Sequence, residues 1–185
     1  MREDCSRYEL DFSAYSKSAI RDPNPVVFLE NELMYGQEFE VDEKIMDKNW
    51  TQPIGKAKIM REGTDVTIVA YAKMVGLSLK AAEELKQKGI NVEVINLRTI
   101  RPLDRATIVE SVKKTHRLVS VEDGYPQHGV GAEICALAFE SLFDELDAPV
   151  VRVSAWDVPL PYARNLEAGA LPQVNHIVKA VESLF

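Results

Sequence analysis

The chain has 185 residues, of which 46% are hydrophobic, and its formal net charge is −7. This length allows one hydrophobic core and a remnant of a second domain. The acidic balance argues against nucleic acid or an anionic membrane surface as the main partner, because both require a basic protein face. Cys5 and Cys135 are too few for a disulfide framework or a cysteine zinc site. No apolar run approaches the roughly 20 residues of a membrane-spanning helix, and the N-terminus resembles neither a secretory signal nor a transit peptide.

The first third of the chain has weak patterning. Residues 1–24 are polar, and we expect them to be poorly ordered or to form a short helix at residues 15–21. Residues 26–29, Val-Val-Phe-Leu, predict a strand. Residues 33–55 form a connection that is long for the interior of one domain and ordinary between two domains. Residues 55–62 alternate weakly and predict an edge strand.

Four units of strand followed by helix come next. The strands begin near residues 66, 92, 118 and 150 and are rich in Val, Ile and Leu, as buried parallel strands are. Helical periodicity follows each strand, with Gly89 as a C-terminal cap signal and Asp104 as an N-cap. The sequence therefore predicts an α/β fold, with an open, mostly parallel sheet of about five strands and helices on both faces. The predicted strands are 66–71, 92–97, 118–121 and 150–154, and the predicted helices are 75–87, 104–114, 130–142 and 172–184.

A glycine-rich turn between residues 122 and 131 lies where many α/β proteins bind phosphate. It does not match a P-loop, because Val130 stands where that motif requires lysine. It does not match a dinucleotide turn either, because Ile134 stands where the third glycine belongs. A structural role for the glycines is favoured, either as positive-φ turn residues or as points of close backbone approach before a helix.

Other catalytic candidates are few. Arg98 and Arg101 could bind an anion, but ion pairs with Glu122 or Asp123 from the neighbouring strand end are favoured. The sequence contains no His-x-x-x-His or Cys-x-x-Cys spacing, so we expect no metal site. The three histidines lie at unrelated places, and only the second is at the ligand end of the predicted sheet: His116, His128 and His176.

Several motifs occur in order along the chain and closely resemble the β subunits of the decarboxylating component of pyruvate dehydrogenase. They are AIRDPNPVVFLENELMYG (19–36), NVEVINLRTIRPLD (91–104), GVGAEI (129–134), LDAP (146–149) and DVPLPYA (157–163). The resemblance extends from about residue 17 to the C-terminus. ENELMYG and RPLD favour the pyruvate-using enzyme over the branched-chain 2-oxoacid enzyme. The predicted sheet agrees with the transketolase-type C-terminal domain of this family.

The resemblance also implies a domain division and a cofactor. Residues 1–16 are atypical, 17–32 are a remnant of the family's pyrimidine-binding domain, 33–55 are a linker and 56–185 are the transketolase-type C-terminal domain. The family uses thiamine diphosphate with Mg²⁺, held by the alpha subunit and by the pyrimidine-binding domain, which supplies an activating glutamate. That domain is largely missing from this sequence, so we expect no catalytic, cofactor-binding or metal-binding residue here and no activity from the isolated chain.

The partners implied by the resemblance are the alpha subunit, a second beta subunit and the dihydrolipoyl acyltransferase. The acyltransferase would bind Asp147, in the LDAP motif, and the terminal carboxylate, here on Phe185. Its binding domain is basic and this chain is acidic, which favours association. Without the resemblance, turn chemistry before Pro149 is the preferred interpretation of Asp147.

The implied reaction is the oxidative decarboxylation of pyruvate towards acetyl-CoA. The implied location is the mitochondrial matrix in a eukaryote or the cytoplasm in a bacterium. Three alternatives stay open: a truncated, non-catalytic interaction domain, a beta subunit of a branched-chain 2-oxoacid dehydrogenase and, more weakly, a free-standing nucleotide-binding domain.

Overall fold

The computed structural model describes residues 6–34 and 43–185. Within these ranges a five-stranded sheet carries helices on both faces. The strands are β1 (Lys58–Arg61), β2 (Val66–Ala70), β3 (Val92–Asn96), β4 (Leu118–Val121) and β5 (Val151–Val153). The helices are α1 (Ser6–Arg21), α2 (Lys73–Gln87), α3 (Arg105–Thr115), α4 (Val130–Leu142), α5 (Arg164–Ala170) and α6 (Val174–Glu182).

The strand order is β1-β3-β2-β4-β5. The edge strand β1 runs antiparallel to β3, and the other neighbouring strands are parallel. The predicted open, mostly parallel sheet is therefore confirmed. From β2 the chain passes outward to β3 and then crosses to β4 on the other side of β2, so the strand order reverses between β2 and β4. We call the crevice at the carboxyl ends of β2 and β4 the switch point, the place where open α/β sheets usually bind ligands.

Two buried clusters hold the layers together. Helices α2 and α6 pack on one face of the sheet and α3 and α4 pack on the other. Both clusters consist of aliphatic side chains from the middle of strands and from one stripe of each helix, as the helical period requires. Members of the first cluster include Ile68, Val94, Leu85 and Ile177, and members of the second include Ile95, Ile108, Leu118 and Leu137.

Charged side chains are buried at several places in the described fold, and one of them belongs to an ion pair. Glu93 in β3 is fully buried, and its Oε2 accepts hydrogen bonds from Lys114 Nζ and from the Gly63 backbone N–H. Burial by itself would raise the pKa of Glu93, but the hydrogen bonds, led by that of Lys114, outweigh it and lower the pKa. Glu93 therefore stays ionised as half of a pair, and that pair links β3 to the end of α3.

The predicted helix ends are confirmed. Asp104 caps α3 by accepting the backbone N–H of Thr107, and Gly89, just beyond α2, has the positive φ of +82° that favours glycine. Helix α3 ends at His116, which adopts a left-handed conformation with φ of 58°.

The structure differs from the sequence expectation near the N-terminus. The strand predicted at residues 26–29 is wrong: this segment is irregular, and Val27 and Leu29 are 83% and 85% exposed. A strand requires a partner edge, and β1 and β5, the outer strands of the sheet, do not pair with it. The helix expected at residues 15–21 is present but longer, as α1, and the short helix α5 was not predicted.

Helix α1 makes side-chain hydrogen bonds to the end of the long connection that precedes β1. The Tyr15 hydroxyl is within hydrogen-bond distance of the carbonyl oxygens of Pro53 (3.3 Å) and Lys56 (3.2 Å). Ser18 Oγ donates to the carbonyl of Gln52 at 2.5 Å. The end of the predicted linker therefore has defined contacts.

Asp104 also joins the segment just before β1 to the start of α3, which it caps. Its Oδ2 accepts the Ala57 N–H at 3.0 Å and the Thr107 hydroxyl at 2.8 Å. Burial would raise the pKa of Asp104, but these hydrogen bonds outweigh it and lower the pKa below the ordinary 3.8. A group with a lowered folded-state pKa stabilises the fold above its unfolded pKa and loses that contribution as the pH falls through the folded value.

We therefore predict that Asp104→Asn lowers the free energy of unfolding by about 1 kcal/mol at neutral pH, because an amide cannot accept all of these hydrogen bonds. The difference from the parent chain should shrink as the pH falls to about 3. Urea unfolding at several pH values measures this. Asp144→Asn, at an exposed carboxylate, is the matched control and should have little effect, and a pH-independent difference for Asp104→Asn would contradict the prediction.

Candidate functional site

The switch point is closed by the protein's own side chains. Tyr71 follows β2 and Glu122 follows β4, and the Tyr71 hydroxyl donates to Glu122 Oε2 at 3.2 Å. Glu122 is only 1% exposed. The crevice that holds ligands in many open α/β sheets is thus bridged by a buried hydrogen bond.

The second oxygen of the same carboxylate occupies the start of α4. Glu122 Oε1 accepts the Gly131 backbone N–H at 2.9 Å, in the first turn of the helix. A helix N-terminus attracts anions because its first N–H groups are free and its dipole is positive there. An internal carboxylate already fills that position, so the glycine-rich turn does not offer it to a phosphate.

Glu122 also explains the glycines. A Cβ at Gly131 would lie 2.6 Å from Glu122 Oε1, and a Cβ at Gly129 would lie 2.6 Å from both Glu122 Oε1 and the Tyr125 carbonyl oxygen. Close backbone approach is therefore confirmed as their role. The expectation of positive φ at these glycines is wrong: Gly129 has φ of −71°, and the left-handed residue of the turn is His128, with φ of 57°.

Two titratable side chains near the switch point have raised pKa values. Burial, followed by the negative charge of Glu122, raises the pKa of Tyr71, so the phenol remains a protonated donor. Burial also raises the pKa of the Cys135 thiol, the opposite of what a cysteine nucleophile requires.

Glu122 accepts hydrogen bonds from Tyr71 and Gly131. Both of these donors to Glu122 are neutral groups, the Tyr71 hydroxyl and the Gly131 backbone N–H. The ion pairs from Arg98 or Arg101 to Glu122 or Asp123 stay a prediction. The guanidinium of Arg98 lies 5.7 Å from the centre of the Tyr15 ring.

The histidines have separate structural contacts. His116 Nδ1 donates to the Glu145 carbonyl at 2.8 Å, and His176 Nδ1 accepts the Gln173 N–H at 3.2 Å at the start of α6. In the part of the chain that the structure describes, no group of three or more His, Cys, Asp or Glu side chains could hold a metal ion.

The thiamine diphosphate and Mg²⁺ implied by the resemblance do not fit the residues at this edge. The helix N-terminus that would receive a diphosphate already holds Glu122, and the adjoining cavity of about 250 Å³ is lined mainly by apolar residues. Its lining includes Asp123, Tyr125, Trp156, Leu160 and Leu171. These walls are suited to apolar contact rather than to phosphate.

The two predicted docking residues lie at the opposite, amino end of the strands and are brought together by Arg117. Arg117 Nη2 lies 3.7 Å from Asp147 Oδ2, and its guanidinium lies 4.4 Å from the centre of the Phe185 ring. Asp147 and Phe185 are partly exposed, at 58% for the Asp147 side chain and 61% for Phe185. We call Arg117, Asp147 and Phe185 the amino-end cluster.

Sequence reasoning placed Tyr71 at the carboxyl edge of the sheet but missed its contact with Glu122, and it missed Arg117 altogether. The partners of both residues are distant in sequence. Glu122 did carry a local signal, since an acid directly after a buried strand and before Gly-x-Gly is placed to cap the following helix.

The Glu122 contact predicts a specific pattern of rescue. Gly131→Ala should destabilise the fold by about 1–3 kcal/mol, because the new methyl group overlaps the carboxylate. In a Glu122→Ala background the same change should cost little, since the remaining close neighbours of Gly131 are the side chains of Ser120 and Arg152.

Gly129→Ala is the matched control, because its methyl group would also overlap the Tyr125 backbone carbonyl, which Glu122→Ala does not remove. Its cost should therefore persist in both backgrounds. Chemical unfolding of the six chains measures these differences, and equal costs for Gly131→Ala with and without Glu122 would refute the assignment.

Comparison with known proteins gives a consistent result. Residues 55–177 match the family model described as transketolase, C-terminal domain. The chain is 65% identical over 164 residues to the mitochondrial pyruvate dehydrogenase E1 component subunit beta-1 of Arabidopsis thaliana, covering 89% of this chain and 45% of that protein. It is 53% identical to the pyruvate dehydrogenase E1 component subunit beta of Rhizobium meliloti (strain 1021), covering 94% of this chain and 37% of that protein.

A solved structure is also similar. A split-gene transketolase, described as an inactive beta4 tetramer, matches with a TM-score of 0.64 and 28% sequence identity over 75% of this chain and 44% of that one. The chain spans less than half the length of the curated relatives named above. The fold and the family model agree: the chain belongs to the transketolase C-terminal domain family, and over most of its length it is similar to pyruvate dehydrogenase β subunits.

Proposed function

We propose that this chain is the assembly and docking portion of a pyruvate dehydrogenase β subunit. In the complete enzyme it would serve thiamine-dependent oxidative decarboxylation of pyruvate towards acetyl-CoA without contributing a catalytic residue. The observation that carries the proposal is the amino-end cluster, in which two residues implied in docking, Asp147 and Phe185, lie against one arginine. The closed switch point supports the same view, because it leaves no phosphate site at the ligand edge.

The chemistry of the cluster suits a basic partner. A partly exposed aspartate, a terminal carboxylate and an exposed aromatic ring together offer charge and apolar contact to the basic binding domain of a dihydrolipoyl acyltransferase. The net charge of −7 adds long-range attraction that salt would screen. We therefore propose this face as the acyltransferase contact.

Other surfaces suit the remaining partners, the alpha subunit and a second beta subunit. Trp156 is 67% exposed and Leu160 is 54% exposed beside the cavity at the carboxyl edge. Exposed apolar surface of this kind commonly marks a protein interface. The strand-forming residues of segment 26–29 lie outside the five-stranded sheet, and together with the sequence resemblance they support its assignment to a pyrimidine-binding domain. We propose residues 17–32 as that domain's last segment, 33–55 as the linker and 56–185 as the assembly domain.

The proposed location and cofactor rest on the similarity to pyruvate dehydrogenase β subunits. The plant relative is named mitochondrial, which supports the matrix as the location if the source is a eukaryote. In the described part of the chain, none of the helices combines the length and hydropathy needed to cross a bilayer. Thiamine diphosphate with Mg²⁺ would be held by the alpha subunit and by the pyrimidine-binding domain.

Two alternatives differ in what the chain does alone. A truncated, non-catalytic interaction domain would bind partners without any turnover in the cell, and a branched-chain β subunit would act on a different 2-oxoacid. The identity of 65% to a pyruvate dehydrogenase subunit favours the pyruvate enzyme over the second.

We predict no pyruvate decarboxylation by this 185-residue chain when alpha subunit, thiamine diphosphate and Mg²⁺ are supplied, because the activating glutamate is not within it. A dye-reduction assay with a full-length β subunit as positive control measures this. Turnover above that of the alpha subunit alone would contradict the prediction.

We also predict that Asp147→Ala, or removal of Phe185, weakens binding of the acyltransferase's binding domain about tenfold. Asp147→Ala removes a negative group from the contact, whereas removal of Phe185 deletes the aromatic ring and moves the terminal carboxylate to Leu184. Calorimetry at low salt measures the affinity. Glu84→Ala, at an exposed acid on α2, changes the net charge equally and should leave the affinity nearly unchanged. Unaltered binding in both docking variants would refute the assignment.

A further inference from the structure

The amino-end cluster is held by two adjacent residues that precede β4. His116 holds the loop that presents Asp147: its Nδ1 donates to the Glu145 carbonyl at 2.8 Å, and its own carbonyl accepts the Asp147 N–H at 2.9 Å. The loop that carries one docking residue is thus fixed to the start of a central strand of the sheet.

Arg117 holds the other docking element, the C-terminus. Its Nε donates to the Leu184 carbonyl at 3.1 Å, and its guanidinium carbon lies over the Phe185 ring, 4.4 Å from the ring centre. Its Nη1 points to the Asp65 carbonyl at 3.5 Å, and its Nη2 faces Asp147. The Arg117 side chain is only 25% exposed, so these contacts fix it in one arrangement.

A chain end without such contacts is mobile, and ordering it on binding costs free energy. A guanidinium can stack on a ring and donate in several directions at once, whereas an ammonium group cannot. The contacts of Arg117 therefore do more than neutralise Asp147, because they also place the last residue of the chain beside it.

We propose that Arg117 is a positioning residue that preorganises Asp147 and Phe185 into one docking face for a basic partner domain. This inference rests on the proposed function for the identity of the partner. Its physical content, the ordering of Phe185 by Arg117, is independent of the partner. Charge alone gives the opposite expectation. Removing the positive charge of Arg117 would make the net charge of the amino-end cluster more negative, and binding to a basic partner would then be tighter.

The partner-free test measures the order of the C-terminus in Arg117→Gln. Carboxypeptidase release of Phe185, followed by mass spectrometry, should be severalfold faster in this variant than in the parent chain. Arg105→Gln is the matched control, because Arg105 is a partly exposed arginine with two carboxylate partners elsewhere on the surface, Glu133 and Glu140. Release at the parental rate in Arg117→Gln would overturn the proposal.

The binding test uses calorimetry of the full chain with a dihydrolipoyl acyltransferase binding domain. Arg117→Gln should weaken binding about tenfold, and removing Phe185 from that variant should add little, because the two changes remove the same ordered contact. Unchanged or tighter binding by Arg117→Gln, or fully additive losses, would overturn the proposal. If the parent chain does not bind, the proposed function fails while the protease result still decides the role of Arg117.

Arg117→Lys separates positioning from charge and serves if the glutamine variant does not fold. Lysine keeps the positive charge near Asp147 but cannot stack on Phe185 while donating to the Leu184 carbonyl. Carboxypeptidase should release Phe185 from this variant faster than from the parent chain. A parental release rate together with parental affinity would show that the positive charge alone accounts for the effect of Arg117, and would overturn the positioning role.

Discussion

The carboxylate of Glu122 is the contact on which the carboxyl edge of this sheet depends. It joins Tyr71, after β2, to the first turn of α4, and it is buried between them. Because it fills the space beside the turn, Gly129 and Gly131 must lack a Cβ. A glycine-rich turn before a helix usually leaves room for an external anion. Here the anion is internal, so the same local geometry serves packing instead of ligand binding.

The two ends of the sheet differ in how deeply their carboxylates are buried. At the carboxyl edge Glu122 is buried and fully engaged, and a buried charge of this kind is costly to leave without its partners. At the amino edge Asp147 is more than half exposed and lies 3.7 Å from Arg117. An ion pair with an exposed partner contributes little stability. The carboxyl end therefore holds a buried contact that stabilises the fold, whereas the amino end leaves a carboxylate accessible to solvent.

Some apolar surface stays exposed in the described part of the chain. Trp156 is exposed beside a cavity, and the segment 26–29 has strand-forming residues but lies outside the five-stranded sheet. Strand propensity reflects packing and pairing more than an intrinsic backbone preference. The Val-Val-Phe-Leu run has strand-forming residues but did not form the predicted strand, because it does not pair with an edge of the described sheet.

The sequence by itself determined the alternation of strands and helices, the parallel sheet and the helix ends at Asp104 and Gly89. These features depend on periodicity and on single residues acting within one turn, so they can be read locally. Only the tertiary structure decided that Glu122 meets Tyr71, 51 residues away, and that Arg117 meets Phe185 at the chain end. Such contacts depend on the strand order, which places β4 beside β2, and the spacing of elements along a chain does not specify that order.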